Sequence, residues 1–255
     1  MLSRRDKVEI RLKDWLFEAA LPSRVYRFLW PGGDPFVPGF HGSKAIFVHV
    51  PKAAGSSVAD ALFGQPVGHR PIHRHIAYHP ELVASYFKFT FVRNPWDRLH
   101  SAYHYFAARV GSDWHRDHRW ANEFIAPFPS FQKFVEALED PAFAARVKRY
   151  DHFRDQLDWL VAPRTERIMM DFIGRFESIV EDFAVIRNRL GLSVELPHRR
   201  KGGGVDYRAA YDTRMIETVR TLYGRDIQAF GYDFDGRACA SQEFTSPVTG
   251  LINHS

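Results

Sequence analysis

Two apolar runs, AIFVHV (45–50) and FKFTFV (87–92), each stop at a polar turn and give way to a helical pattern. Apolar residues without alternation over a short run mark a strand covered on both faces, as in a parallel sheet. PKAAGSS (51–57) follows the first run, and a helix is predicted from about Ser56 to Phe63. RNPWDRLHSAY follows the second. There Asn94 suits an N-cap, Pro95 takes the first helical position, and Asp97 sits third, where its carboxylate meets free backbone N–H groups. That helix is expected to reach about Arg109. RIMMDFIGRF (167–176) reads as a strand or a bent pair, and ESIVEDFAVIRNRLGL as an amphipathic helix stopped by Gly191.

Further helices are expected at 81–86, 130–139, 142–148, around 154–160 and over about 212–230. Residues 31–43 are rich in Gly and Pro and read as irregular; 64–80 read as loop with at most one short turn, and 111–129 as a surface excursion. Strands alternating with helices predict an α/β fold, a parallel sheet flanked by helices in three layers. The expected division is an N-terminal helical and irregular extension (1–43), the main domain (44–237) and a polar, frayed tail (238–255). Ligands of such sheets lie beyond the C-terminal ends of the strands, where both turns fall.

Composition narrows the class. The 255 residues are 45% hydrophobic and 15% aromatic, with 22 Phe and 6 Trp, enough for one large aromatic core. A net charge of +5 favours anionic ligands, but there is no dense Lys/Arg block or nucleic-acid reader motif, so nucleic acid is not an expected partner. The single Cys239 excludes an intramolecular disulfide and fits a reducing compartment. No run approaches the roughly 20 apolar residues that span a bilayer, and the N-terminus lacks a signal-peptide pattern. A cytoplasmic location is expected. The mixture of Arg and Lys with Trp15, Phe17, Tyr26, Phe28 and Trp30 reads as helices packed on the domain, the other reading being peripheral contact with a membrane or partner.

The turns carry the chemistry. A loop rising from a buried strand into a helix presents unpaired N–H groups and the positive end of the helix dipole, a setting for phosphate. Gly55 permits close backbone approach, Ser56 and Ser57 add hydroxyls, Lys52 adds a full charge, and Ala53 and Ala54 complete the loop. The order differs from GxxxxGK[ST], in which lysine opens the helix. In the second turn Arg93 can grip an anion with two parallel hydrogen bonds. Asp97, Ser101 and Tyr105 follow at helical spacing on one face, so Ser101 can assist.

PKAAGSS resembles the 5′-phosphosulfate loop, and FVRNPWDRLHSAY the 3′-phosphate motif, of sulfotransferases that use 3′-phosphoadenosine 5′-phosphosulfate (PAPS). MMDFIGRFESIVEDF, TVRTLYGRDIQAFGYDF and HFRDQLDWL look like the carbohydrate branch of that family, so the likeness covers roughly residues 45–234. IHRHIAY is similar to the HGHISY segment of uronosyl 2-O-sulfotransferases, whose paired histidines serve the chemistry. HRRKGGGVDY is similar to an RKGxxGDW loop of the soluble branch. The likeness implies a sulfotransferase fold with a P-loop-like sheet, and no metal. It places Lys52 to Ser57, Arg93 and Ser101 on the nucleotide, with Arg200 and Lys201 as candidate 3′-phosphate ligands. His152 and Gln156 fall on the acceptor side.

The expected reaction is transfer of a sulfuryl group from PAPS to a hydroxyl of a carbohydrate or glycan-like acceptor. A hydroxyl needs a base, and histidine suits that role at neutral pH: His75 first, His73 second. Lys52 meets the charge growing on the leaving group. Arg116, Arg119 and Trp120 are candidates for the wall of an acidic glycan groove, or for ordinary surface bonding and packing. His69, His73, His75 and His79 form two i,i+4 pairs, but Gly and Pro interrupt the helix and no carboxylate cluster completes a metal site. The other readings are a non-catalytic nucleotide-binding protein of the same fold and a phosphoryl transferase, which would need Mg²⁺ ligands the chain does not display.

Overall fold

The computed structural model describes residues 1–19, 21–29, 33–162, 165, 167–197, 206–236 and 242–243. The N-terminal helices are α1 (Arg4–Glu18), α2 (Ser23–Leu29) and α3 (Pro38–Ser43). Strand β1 (Ala45–Val48) leads through the PKAA loop into α4 (Gly55–Phe63), then α5 (Ile72–Tyr78) and α6 (Pro80–Ser85). Strand β2 (Phe87–Val92) leads into α7 (Pro95–Ala107), followed by α8 (Arg116–Phe124), α9 (Phe131–Ala137), α10 (Pro141–Lys148) and α11 (Leu157–Leu160). Then come β3 (Phe172–Arg175), α12 (Ile179–Arg189), a 3₁₀ turn (Tyr207–Ala210), α13 (Thr213–Leu222), α14 (Gly224–Phe230) and the two-residue β4 (Gln242–Glu243).

The sheet runs β1-β2-β3-β4. The first three strands are parallel, with Val48 opposite Thr90 and Val92 opposite Arg175, so their C-terminal ends share one edge. Every residue of β1 and β3, and all of β2 after Phe87, is buried, as the unbroken apolar runs require. Phe47 stacks on Phe89 at 5.1 Å across the β1–β2 pair. At Gly174 the β2 side chain Phe91 comes so close that a Cβ would stand 2.7 Å from its ring. The α/β architecture, a parallel sheet flanked by helices, is therefore present.

Several elements depart from the sequence-based expectation. Part of the stretch 64–80, expected to be loop, forms α5. Five of its seven residues are buried, two histidines and an arginine among them, so polar side chains hide the helical period. The expected excursion at 111–129 contains α8, whose Asp117, Trp120, Ala121 and Phe124 are buried at spacings of three, one and three residues. Trp120 stacks within 5 Å of Phe124, Tyr150 and Phe153. It is a core residue and not the wall of a groove. The long helix expected over 212–230 breaks at Tyr223, and in the tail Gln242–Glu243 pairs antiparallel with β3. Leu2, Leu16, Phe17, Tyr26 and Phe40 from the first 43 residues join the same buried cluster as the strands.

Candidate active site

The two turns meet at the shared strand edge. Leaving β1, the backbone takes the left-handed conformation at Lys52 and again at Ala54 (φ 67° at each). Non-glycine residues adopt it rarely and at a cost, so the surrounding contacts must hold it. Ala54 is the N-cap of α4, which leaves the N–H groups of Gly55, Ser56 and Ser57 at the helix start. Ser56 is exposed and Ser57 half-buried. Gly55 is sterically required: a Cβ there would lie 1.8 Å from the His49 ring.

Arg98, only 2% exposed, fastens the loop from below. Its Nε donates to the Pro51 carbonyl at 3.0 Å, and its Nη2 donates to the carbonyls of Arg154 at 2.8 Å and His152 at 3.3 Å. Arg93, at the end of β2, donates from Nε and Nη2 to Asp97 at 2.8 Å each and from Nη1 to the Lys52 carbonyl at 3.2 Å. Its guanidinium lies 4.0 Å from the centre of the Phe176 ring. The fork that the sequence assigns to an anion is thus paired with Asp97, one helical turn ahead of Ser101.

Lys52 rests its ammonium 4.3 Å above the Tyr105 ring. Burial pulls its pKa down to about 8, and Arg93, Arg109 and Arg98 add repulsion. The Arg109 guanidinium lies 3.3 Å from the same ring centre. Asp97, Ser101 and Tyr105 are each half-buried, one turn apart on α7. Ser101 therefore stands between the residue that holds Arg93 and the residue that supports Lys52. Such crowding of cations around a half-buried lysine disfavours its charge unless an anion joins them.

Three histidines line the same corner. The His49 and His69 ring centres are 4.2 Å apart, and those of His69 and His152 are 5.5 Å apart. His152 stacks on Tyr105 at 5.3 Å. Nδ1 of His69 lies 3.0 Å from the His49 carbonyl. A carbonyl only accepts, so Nδ1 carries the proton and Nε2 presents its lone pair. Burial lowers the pKa of all three, holding them neutral at pH 7. His69 and His152 are half-buried and His49 is buried.

The structure places His73 and His75 elsewhere. The His75 ring lies 5.3 Å from Phe36 and 5.9 Å from Phe40; the His73 ring lies 5.3 Å from Phe17 and 5.4 Å from Tyr26. Both are nearly inaccessible, at 1% and 4% exposure, and burial drives both pKa values down to about 3. A base must reach the proton it takes; these rings are enclosed where α5 packs on the N-terminal segments.

Gln156 is fully buried and bonded in both directions to the backbone of Arg93: Nε2 donates to its carbonyl at 2.8 Å, and Oε1 accepts from its N–H at 2.9 Å. It fixes the second turn, leaving His152 as the only one of the two expected acceptor-side residues beside Lys52. Arg116 and Arg119 are likewise engaged, with Glu9 at 2.6 Å and Asp6 at 2.8 Å. Arg200 and Lys201 lie outside the described residues. At the end of β3, Glu177 accepts from the Asn94 N–H at 2.7 Å and from the Tyr232 hydroxyl at 2.9 Å, and burial raises its pKa. Among the described residues, no group of three or more His, Cys, Asp or Glu side chains is placed to share a metal ion.

His49, His69 and the clamp role of Arg98 were not assigned from sequence. A lone histidine inside a buried apolar run was the available signal for His49. Arg98 has none, because a helix pattern does not reveal which carbonyls face it.

The model of a sulfotransferase family matches residues 40–233. The chain belongs to that family. Over 127 residues it is 32% identical to carbohydrate sulfotransferase 12 of Xenopus laevis, a match covering 43% of this chain and 30% of the frog protein. It is also 27% identical over 122 residues to an uncharacterized protein of Archaeoglobus fulgidus, covering 47% of this chain and 79% of that one. No solved structure matches significantly. No described helix is long and apolar enough to cross a membrane.

Proposed function

We propose that the protein transfers the sulfuryl group of PAPS to a hydroxyl of a carbohydrate acceptor. The carrying observation is the convergence of Lys52, Arg93 and Arg109 at the start of α4, where backbone N–H groups and crowded cations call for an anion. When bound, PAPS supplies the sulfuryl group and departs as adenosine 3′,5′-bisphosphate. In this reading the N–H groups of Gly55 to Ser57, with the two serine hydroxyls, hold the 5′ end of the nucleotide. Lys52 neutralises charge growing at the leaving oxygen. Arg93 and Ser101 hold the 3′-phosphate, with Arg93 sharing its fork between that group and Asp97.

The base in this reading is His69. Its Nδ1–H is fixed on the His49 carbonyl, so Nε2 is free to accept the acceptor's proton, and it shares the corner with His152 beside Lys52. His75 remains the second reading, supported by the likeness of IHRHIAY to HGHISY. Reaching a hydroxyl from there requires α5 to shift away from Phe36 and Phe40.

The test is calorimetric titration with adenosine 3′,5′-bisphosphate, followed by acceptor screening with labelled PAPS. Saturable binding that Arg93→Ala weakens supports the reading. Binding no tighter than that of adenosine 5′-monophosphate would sink it, because the second turn would then have no 3′-phosphate to hold.

A further inference from the structure

Helix α1 sorts its charges by face. Asp6, Glu9 and Asp14 turn toward the domain and are paired there: Asp6 with Arg119 through two bonds of 2.8 and 2.9 Å, Glu9 with Arg116 at 2.6 Å, and Asp14 with Arg149 at 3.1 Å. The hydrogen bond and nearby charge of Arg119 hold the Asp6 carboxyl well below the usual range. Leu16 and Phe17 are buried beneath. The opposite face carries Arg4, Val8, Arg11 and Trp15, spaced four, three and four residues apart and so in one stripe, with Arg5 at its border. All five are exposed, Val8 at 59% and Trp15 at 50%. Among the described residues, no carboxylate pairs with Arg4, Arg5 or Arg11.

We propose that this outer face of α1 docks the enzyme on an anionic lipid bilayer. An indole and a valine set among unpaired arginines match the boundary between headgroup and acyl chain: the apolar groups enter the interface while the guanidinium groups meet lipid phosphates. An acidic protein or a nucleic acid would satisfy the arginines but would not call for an exposed valine and tryptophan between them. The ion pairs on the inner face make the surface rigid, so docking would fix how the domain, and with it the PKAA loop, is presented to the membrane. The inference does not depend on which nucleotide the site holds.

The test is co-sedimentation of the full chain with vesicles of phosphatidylcholine and phosphatidylserine in equal parts, beside vesicles of phosphatidylcholine alone. Binding is expected only with the anionic lipid, weakening as salt rises. The triple variant Arg4→Ala, Arg5→Ala, Arg11→Ala is expected to lower the partition coefficient more than tenfold, since each basic residue contributes about fivefold. Trp15→Ser is expected to lower it severalfold. Neither should alter the melting temperature by more than a few degrees, because all four side chains face solvent. Failure to bind the anionic vesicles, or equal binding by the triple variant, overturns the proposal. So does indifference to Trp15→Ser combined with full competition by polyglutamate, which would assign the face to an acidic macromolecule.

Discussion

Arg98 reaches from the second turn's helix to the Pro51 carbonyl, 47 residues earlier, with Nε and oxygen 3.0 Å apart. The bond joins the two loops that the sequence presents separately. With its further bonds to the carbonyls of His152 and Arg154, this buried arginine holds the PKAA loop, the end of β1 and the histidine corner in one frame.

Arg98→Met should leave those buried carbonyls without their donor, costing about 3 kcal/mol. For a chain of this size that corresponds to roughly 6–12 °C in melting temperature. Arg98→Lys should recover less than half, since an ammonium cannot reproduce the planar fork. Thermal unfolding of the three proteins checks this. An unchanged midpoint for the methionine variant would show that the clamp is dispensable.

Gly55 and His49 should be coupled. Gly55→Ala drives a methyl into the imidazole at 1.8 Å and should cost about 2 kcal/mol, in the usual range for overpacking. Adding His49→Ala to that variant should return at least half of the loss, giving a coupling energy that a denaturant double-mutant cycle measures directly. Additive losses would mean the clash is relieved by movement of α4.

The lowered pKa of Lys52, about 8, gives two opposite pH dependences. Binding of adenosine 3′,5′-bisphosphate should weaken as pH rises through 8, because the cation proposed to meet the nucleotide is lost; Lys52→Arg should flatten that limb. Stability of the ligand-free protein moves the other way. The unfolded lysine, with a pKa of 10.5, holds a proton that the folded protein releases above about 8, so this group's contribution rises between the two values. Comparison with Lys52→Met isolates it.

His69→Gln should lower kcat by two to four orders of magnitude, the usual loss of a general base, while nucleotide affinity changes little. Because burial lowers the pKa of His69, the acid limb of the wild-type kcat profile should lie below the ordinary histidine range. His75→Ala, by contrast, should open a cavity beside Phe36 and Phe40 and lower the unfolding midpoint. A His75 variant that melts normally yet cannot turn over would return the base to α5.

Much of this was legible in the chain. The apolar runs 45–50 and 87–92 marked buried parallel strands, the Asn94–Pro95 start of α7 was marked by cap chemistry, and the family likeness was carried by PKAAGSS and RNPWDRLHSAY. What stayed hidden involved polar residues inside the protein. A helix with buried His73, Arg74 and His75 has no apolar stripe to read, so α5 looked like loop. The family likeness puts Gln156 on the acceptor side, and nothing local in the sequence shows that its amide is bonded to Arg93.

The sequence by itself determined the two turns, their position after buried strands and the family to which the chain belongs, because strand burial, helix caps and loop chemistry are local properties. Only the tertiary structure decided which histidines accompany Lys52. His69 and His73 are four residues apart in sequence, yet His69, ahead of α5, meets the carbonyl of His49 at the strand edge while His73, on α5, packs between Phe17 and Tyr26. That choice follows from how α5 docks, which depends on residues far along the chain and on the burial they achieve together.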